Sequence, residues 1–112
     1  MRTRSGAAAL KARAAAFAAL GDATRLAVLA RLAQGQPQPI SRLTAGTRLT
    51  RQAVTKHLRV LEGAGVVRSV RAGRESRFAL EPKPLDELRD YLDHVSRQWD
   101  EALMRLKALV ED

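Results

Sequence analysis

The spacing of apolar residues changes along this chain, and each change marks an element. From Ala7 to Leu20 the sequence is alanine-rich, with Leu10, Ala14, Phe17 and Leu20 on one helical stripe, which predicts a first helix stopped by Gly21. Asp22 suits the N-cap of a second helix whose apolar set is Leu26, Val28, Leu29 and Leu32. Gly35 and Pro37-Gln38-Pro39 end that helix and predict a connector. Ser41 is placed to cap a short helix carrying Leu43, with Gly46 near its end. Thr50 then caps a longer helix in which Val54, Leu58 and Leu61 recur at helical spacing, until Gly63 and Gly65 allow a positive φ.

After those glycines the period shortens. Val66–Arg71 and Ser76–Leu80 read as two strands, with Ala72-Gly73-Arg74-Glu75 as the hairpin turn between them. Pro82 and Pro84 break the chain before a last long helix. There Leu85, Leu88, Leu92, Val95, Trp99, Ala102, Leu106 and Leu109 step alternately by three and four, a heptad seam with Leu103 beside it. A short helix, a turn, a longer helix and a hairpin make a winged helix-turn-helix. The predicted fold is therefore mainly α with a small β-hairpin wing, in the order α-α-α-α-β-β-α. It forms one domain over residues 1–112, with the helix-turn-helix at 41–64 and the wing at 66–80.

At 112 residues the chain has room for one core, and with aromatics at 4% that core must be Leu, Val and Ala. The absence of cysteine excludes disulfides and thiolate metal sites. No apolar run reaches the ~18 residues of a membrane span. The basic start of the chain resembles a signal peptide only until Lys11 and Arg13 interrupt it, so a soluble cytoplasmic protein is expected.

Charge adds a direction. Residues 1–80 hold 15 basic and 3 acidic side chains, a balance of +12, whereas residues 81–112 hold 5 and 9, a balance of −4. Codon bias accounts for arginine over lysine, but not for acids avoiding the first eighty residues. A basic body points to a polyanion partner. With Val54, Leu58 and Leu61 inward, Arg51, Gln52, Thr55, Lys56 and Arg59 fall on the outer face of the helix that Thr50 opens.

Those residue types suit double-stranded DNA. Arginine pairs bidentately with guanine and glutamine with adenine, while threonine offers a hydroxyl and a methyl. Lys56 and Arg59 are suited to phosphates, as is the helix N-terminus at Thr50. No acid occurs from Thr50 to Leu61. Arg68, Arg71, Arg74 and Arg77 bracket the hairpin tip, in reach of the flanking backbone or the minor groove. A winged helix that binds protein or RNA is the alternative, since fold does not fix function. An enzyme is not expected: no serine sits in a nucleophile-elbow motif, and there is no glycine-rich phosphate loop.

Two segments resemble the ArsR-type transcriptional regulators. Phe17-Ala18-Ala19-Leu20-Gly21-Asp22-Ala23-Thr24-Arg25-Leu26 is similar to that family's opening motif, and Thr50–Val67 resembles its recognition segment. The resemblance runs over roughly residues 14–110. It implies a homodimeric winged-helix repressor that pairs through its first and last helices (7–20 and 84–110) and binds an inverted-repeat operator. Phe17, Leu88, Leu92, Val95, Trp99, Leu103, Leu106 and Leu109 would then form the dimer surface. Arg51, Gln52, Thr55 and Lys56 would take the family's DNA-contacting positions.

Many such regulators sense metals. The thiolate site is missing here, because Ile40-Ser41-Arg42-Leu43-Thr44-Ala45-Gly46 carries no ligand. On the last helix Asp90, Asp93, His94 and Glu101 offer scattered oxygen and imidazole groups. Asp93 and His94 are adjacent and point about 100° apart. No metal or other cofactor is expected, with an oxygen-rich site shared across a dimer as the open alternative. Trp99-Asp100-Glu101 resembles the metal-free branch of the family, for which a small molecule, a protein partner or the regulator's own concentration could be the switch. His57, next to Leu58, is expected in a hydrogen-bonded structural role.

Overall fold

The computed structural model describes residues 6–111. Its elements are α1 (Gly6–Leu20), α2 (Ala23–Leu32), β1 (Gln38–Pro39), α3 (Ile40–Thr44), α4 (Arg51–Gly63), β2 (Val67–Ala72), β3 (Glu75–Leu80) and α5 (Pro82–Glu111). They fall into two compact units, one ending at Pro82 and the other running from Lys83.

The first unit is built on α4. Val54, Leu58 and Leu61 are 0% exposed and form its inward stripe, as their spacing predicts. Around them lie Val28 and Leu32 of α2, Leu43 of α3, Val66, and Val67 and Phe78 of the wing. Each fully buried side chain of this size stabilises the fold by about 1.5–3 kcal/mol. Two faces differ from expectation. In α1 the buried residues are Ala16 and Ala19, while Leu10 and Ala14 are exposed. Small side chains let α1 come close to α2 and α4, its packing neighbours. In α2, Val28 and Leu32 of the expected set fill the core and Leu29 is half-buried, but Leu26 is exposed.

Two of the three expected caps form. Asp22 accepts from the Arg25 N–H at 3.0 Å, and Thr50 Oγ1 from the Ala53 N–H at 3.0 Å. Ser41 does not cap α3. That helix starts two residues earlier, at Ile40 behind Pro39, whose extended backbone (φ −74°, ψ 163°) makes no side-chain capping bond. At the far end of α4, Gly65 takes φ +83°. The Gly65 N–H reaches Glu62 O at 3.0 Å and the Val66 N–H reaches Leu61 O at 3.1 Å, a Schellman closure that turns the chain into the wing. Gly63 stays helical, so only the second glycine performs the turn.

The wing is a three-stranded antiparallel sheet in the order β1-β3-β2, where a two-stranded hairpin was expected. The connector supplies the extra strand: Gln38 pairs with Phe78 and Pro39 with Arg77. Proline is compatible with an edge strand, because its missing N–H faces away from the ladder. Two residues are too few to show an alternation in sequence. The predicted hairpin turn is present, with Ala72 opposite Glu75 and Gly73 at φ +66°.

Helix α5, which makes up the second unit from Lys83 on, begins at Pro82, so neither proline precedes the helix as expected. Both lie in its first turn, where N–H groups have no intrahelical acceptor and proline is tolerated. Along α5, Leu92, Trp99, Leu103, Leu106 and Leu109 are exposed, Val95 is half-buried and Leu88 is buried. Among the described residues no helix is long and apolar enough to cross a membrane.

Candidate nucleic-acid interface

The outer face of α4 presents Arg51, Gln52, Lys56 and Arg59, all exposed, with Thr55 half-buried between them. None of the three arginines and lysines has an ion-pair partner among the described residues. Their donors therefore remain free for an incoming anion. Thr55 behaves differently: its hydroxyl donates to the Arg51 carbonyl at 2.8 Å, one turn back. It can still accept a hydrogen bond through oxygen and offer its methyl, but its proton is committed to the helix.

A concavity of about 560 Å³ opens between α4, the start of α3 and the wing. It brings Arg51, Thr55 and Arg59 together with Ser41 of α3 and Arg74 at the hairpin tip. Glu62 lies in the same groove, and its carboxylate accepts from Ser69 Oγ at 2.9 Å. This bond ties the end of α4 to β2.

Strand alternation divides the wing arginines. Ser69 and Phe78 are register partners on the face turned to α4, and Arg71 with its partner Ser76 continues that face. Arg68 and Arg77 stand on the opposite one. Arg77 also donates from Nε to Glu75 Oε1 at 2.8 Å, with both side chains half exposed. The geometry thus groups Arg51, Thr55, Arg59 and Arg74, leaves Gln52, Lys56 and Arg71 at the rim, and does not bring Arg77 to them.

The chain is similar in sequence and fold to known proteins. A model described as a helix-turn-helix domain matches residues 20–70. Over 96 residues the chain is 38% identical to the HTH-type transcriptional regulator Rv2034 of Mycobacterium tuberculosis, covering 86% of each chain. An ArsR-like transcriptional regulator from Rhodococcus sp. RHA1 superposes with a TM-score of 0.77 at 34% identity, over 90% of this chain and 94% of that one. The chain belongs to the ArsR family of winged helix-turn-helix transcriptional regulators. A third similar structure is the homodimeric winged helix-turn-helix DNA-binding domain of Mb0332 from Mycobacterium bovis. It is 25% identical with a TM-score of 0.66, over 92% of this chain and 94% of that one.

The ArsR family is one of regulators and not of enzymes. Several side chains that shape the helix-turn-helix of this ArsR member were missed in the sequence. Arg42 on α3 and Arg48 before α4 are further exposed cations on the same motif. Their only signal was charge, without a periodic position to single them out. Arg31 of α2 closes the end of α3 through carbonyls eleven and fourteen residues away, a long-range contact that no local pattern reveals. His57 is hydrogen-bonded to Arg25 at 3.4 Å, the structural role expected for it. Among the described residues no three His, Asp or Glu side chains come together as a possible metal site.

Proposed function

We propose that this ArsR-family chain is a homodimeric, sequence-specific DNA-binding repressor acting in the cytoplasm, with α4 lying in the major groove of an inverted-repeat operator. The observation that carries this reading is the outer face of α4: exposed Arg51, Gln52, Lys56 and Arg59, unpaired and with no acid between Thr50 and Leu61. Arg51 and Gln52 would read base edges, and Lys56 and Arg59 would hold phosphates. Thr50 and Thr55 would lie against the backbone and a base methyl, and Arg71 and Arg74 would belong to the wing's contact with the flanking strand, with Arg77 held by Glu75 on the wing's other face. Double-stranded DNA is the partner, and no thiolate sensor takes part, because the chain has no cysteine.

The dimer half of the reading rests on α5, whose seam residues from Leu92 to Leu109 lie largely in solvent, with Trp99 64% exposed and Leu109 75%. A second copy is the occupant that a heptad seam suits. The homodimeric state of the Mycobacterium bovis relative supports the same reading. Helices at 7–20, including Phe17, and at 84–110 would pair, and 41–64 with 66–80 would bind DNA.

The test is a fluorescence titration with labelled duplexes at a series of salt concentrations. Affinity should fall steeply as salt rises, each phosphate contact adding about 0.9 to the slope of log K on log salt. A salt-insensitive affinity contradicts the phosphate contacts, and binding to RNA or protein in place of duplex DNA would favour the alternative module.

A further inference from the structure

Arg25, in the first turn of α2, bridges α1 and α4. Its Nε donates to the Ala19 carbonyl and its Nη2 to the Ala18 carbonyl at 3.5 Å, so the guanidinium closes the C-terminal carbonyls of α1. Its Nη1 lies 3.4 Å from Nδ1 of His57 on α4. A guanidinium can only donate, so Nδ1 is the acceptor and carries no proton in this arrangement; the ring hydrogen sits on Nε2. His57 is half-buried beside Leu58 and is not one of the outward-facing residues of α4.

The charges around the imidazole are few and opposed. Asp22 and Arg25 come from α2, with the Asp22 carboxylate bound to the Arg25 N–H at 3.0 Å and electrostatically coupled to His57. The last turns of α1, Ala14–Leu20, carry no charged side chain, and α4 itself adds Lys56 next to the histidine.

We propose that Arg25 and His57 are a positioning pair that sets α4 against the end of α1, and that protonation of His57 Nδ1 releases it and weakens DNA binding in acid. The proposal rests on the DNA-binding reading above. A proton on Nδ1 removes the acceptor and sets a second cation against the guanidinium. The ring then favours the Asp22 carboxylate, while Arg25 keeps its bonds to Ala18 and Ala19. The link between α1 and α4 is the one that breaks.

The sign is diagnostic. A DNA-binding surface ordinarily gains affinity as acid adds positive charge near phosphates. This pair predicts a loss. Its size follows from one hydrogen bond, about fivefold in affinity.

The experiment uses the full chain and a labelled duplex of the DNA upstream of its own coding sequence, at about pH 8 and about pH 5.5 to bracket imidazole titration. The wild type should bind about fivefold more weakly in acid. His57→Asn, which keeps an acceptor near the Nδ1 position but cannot take up a proton, should bind with unchanged or rising affinity, as should Arg25→Gln. His94 is retained in both variants, so an effect of that histidine would survive the substitutions. A wild-type affinity that rises in acid, or one that falls equally in His57→Asn, overturns the proposal.

Amide hydrogen exchange gives a readout independent of DNA. Val54–Leu61 should gain exchange in acid, relative to the intrinsic pH trend, in the wild type and not in His57→Asn. Identical exchange in the two proteins overturns the pair. Failure to bind any duplex at pH 8 instead overturns the DNA-binding reading, and exchange alone then decides whether Arg25 and His57 position α4.

Discussion

Arg31 Nη1 lies 2.8 Å from the Ala45 carbonyl and 3.1 Å from that of Arg42, so a side chain of α2 holds the C-terminal end of α3. A five-residue helix cannot sustain itself, because ordering its first turn costs more conformational entropy than its few hydrogen bonds return. Arg31→Met should therefore destabilise the protein by about 1 kcal/mol, seen as a lower urea midpoint with an unchanged slope. Faster amide exchange should be confined to α3 and the turn before Thr50. Exchange that accelerates uniformly across α4 as well would contradict a local role.

Asp22 predicts how the fold responds to acid. The Arg25 N–H bonded to its carboxylate outweighs the opposing desolvation and, with the charges of Arg25 and His57, holds its pKa below the ordinary 3.8. The unfolded chain therefore takes up this proton first as pH falls. The stabilisation is complete above the unfolded value and is lost as pH drops through the lower folded one. Asp22→Asn retains a capping oxygen without the charge, so its thermal midpoint should fall less between pH 5 and pH 2.5 than that of the wild type. Parallel curves would show that other carboxylates dominate.

Arg51 and Lys56 separate reading from holding. Arg51→Ala should weaken binding by about 1–3 kcal/mol and relax the preference at one base pair, whereas Lys56→Ala should weaken all duplexes alike and reduce the salt slope by about 1. Competition titrations with single-base operator variants distinguish the two. Equal loss of sequence preference in both variants would assign Lys56 a base contact.

Trp99 should be an anchor of the dimer seam. Trp99→Ala is expected to weaken self-association by about 2 kcal/mol, roughly thirtyfold, and to reduce affinity for an inverted repeat more than for a half-site. Sedimentation equilibrium measures the first effect directly. An unchanged association constant would assign the exposed indole to another role.

Much of the architecture was legible because it is written in local spacing. The stripe of Val54, Leu58 and Leu61, the caps at Asp22 and Thr50, and the turn at Gly73 each depend on neighbours within a few residues. The illegible parts depend on distant partners. Gln38 and Pro39 form a strand only because Phe78 and Arg77 lie opposite. Alanines carry the buried face of α1 because of what they allow to approach, a property that a hydrophobicity pattern ranks below Leu10. For the interface, residue types and helix phase showed the outer face of α4, but the split of the wing arginines needed the register, and the Glu75 partner of Arg77 needed coordinates.

The strand at Gln38–Pro39 bears on where this chain can change over evolutionary time. Surface connectors normally absorb insertions freely. Here the stretch after α2 is threaded between a helix end and the central strand of the wing, with the Gln38 amide also bound to the Arg31 carbonyl at 2.7 Å. An added residue there would slip the ladder and swap the side chains presented to Phe78 and Arg77. Length variation among homologous sequences should therefore accumulate at the open tip, Gly73-Arg74, and avoid the connector. The tip is where a lineage can refit its wing to new flanking sequence while leaving α4 in place.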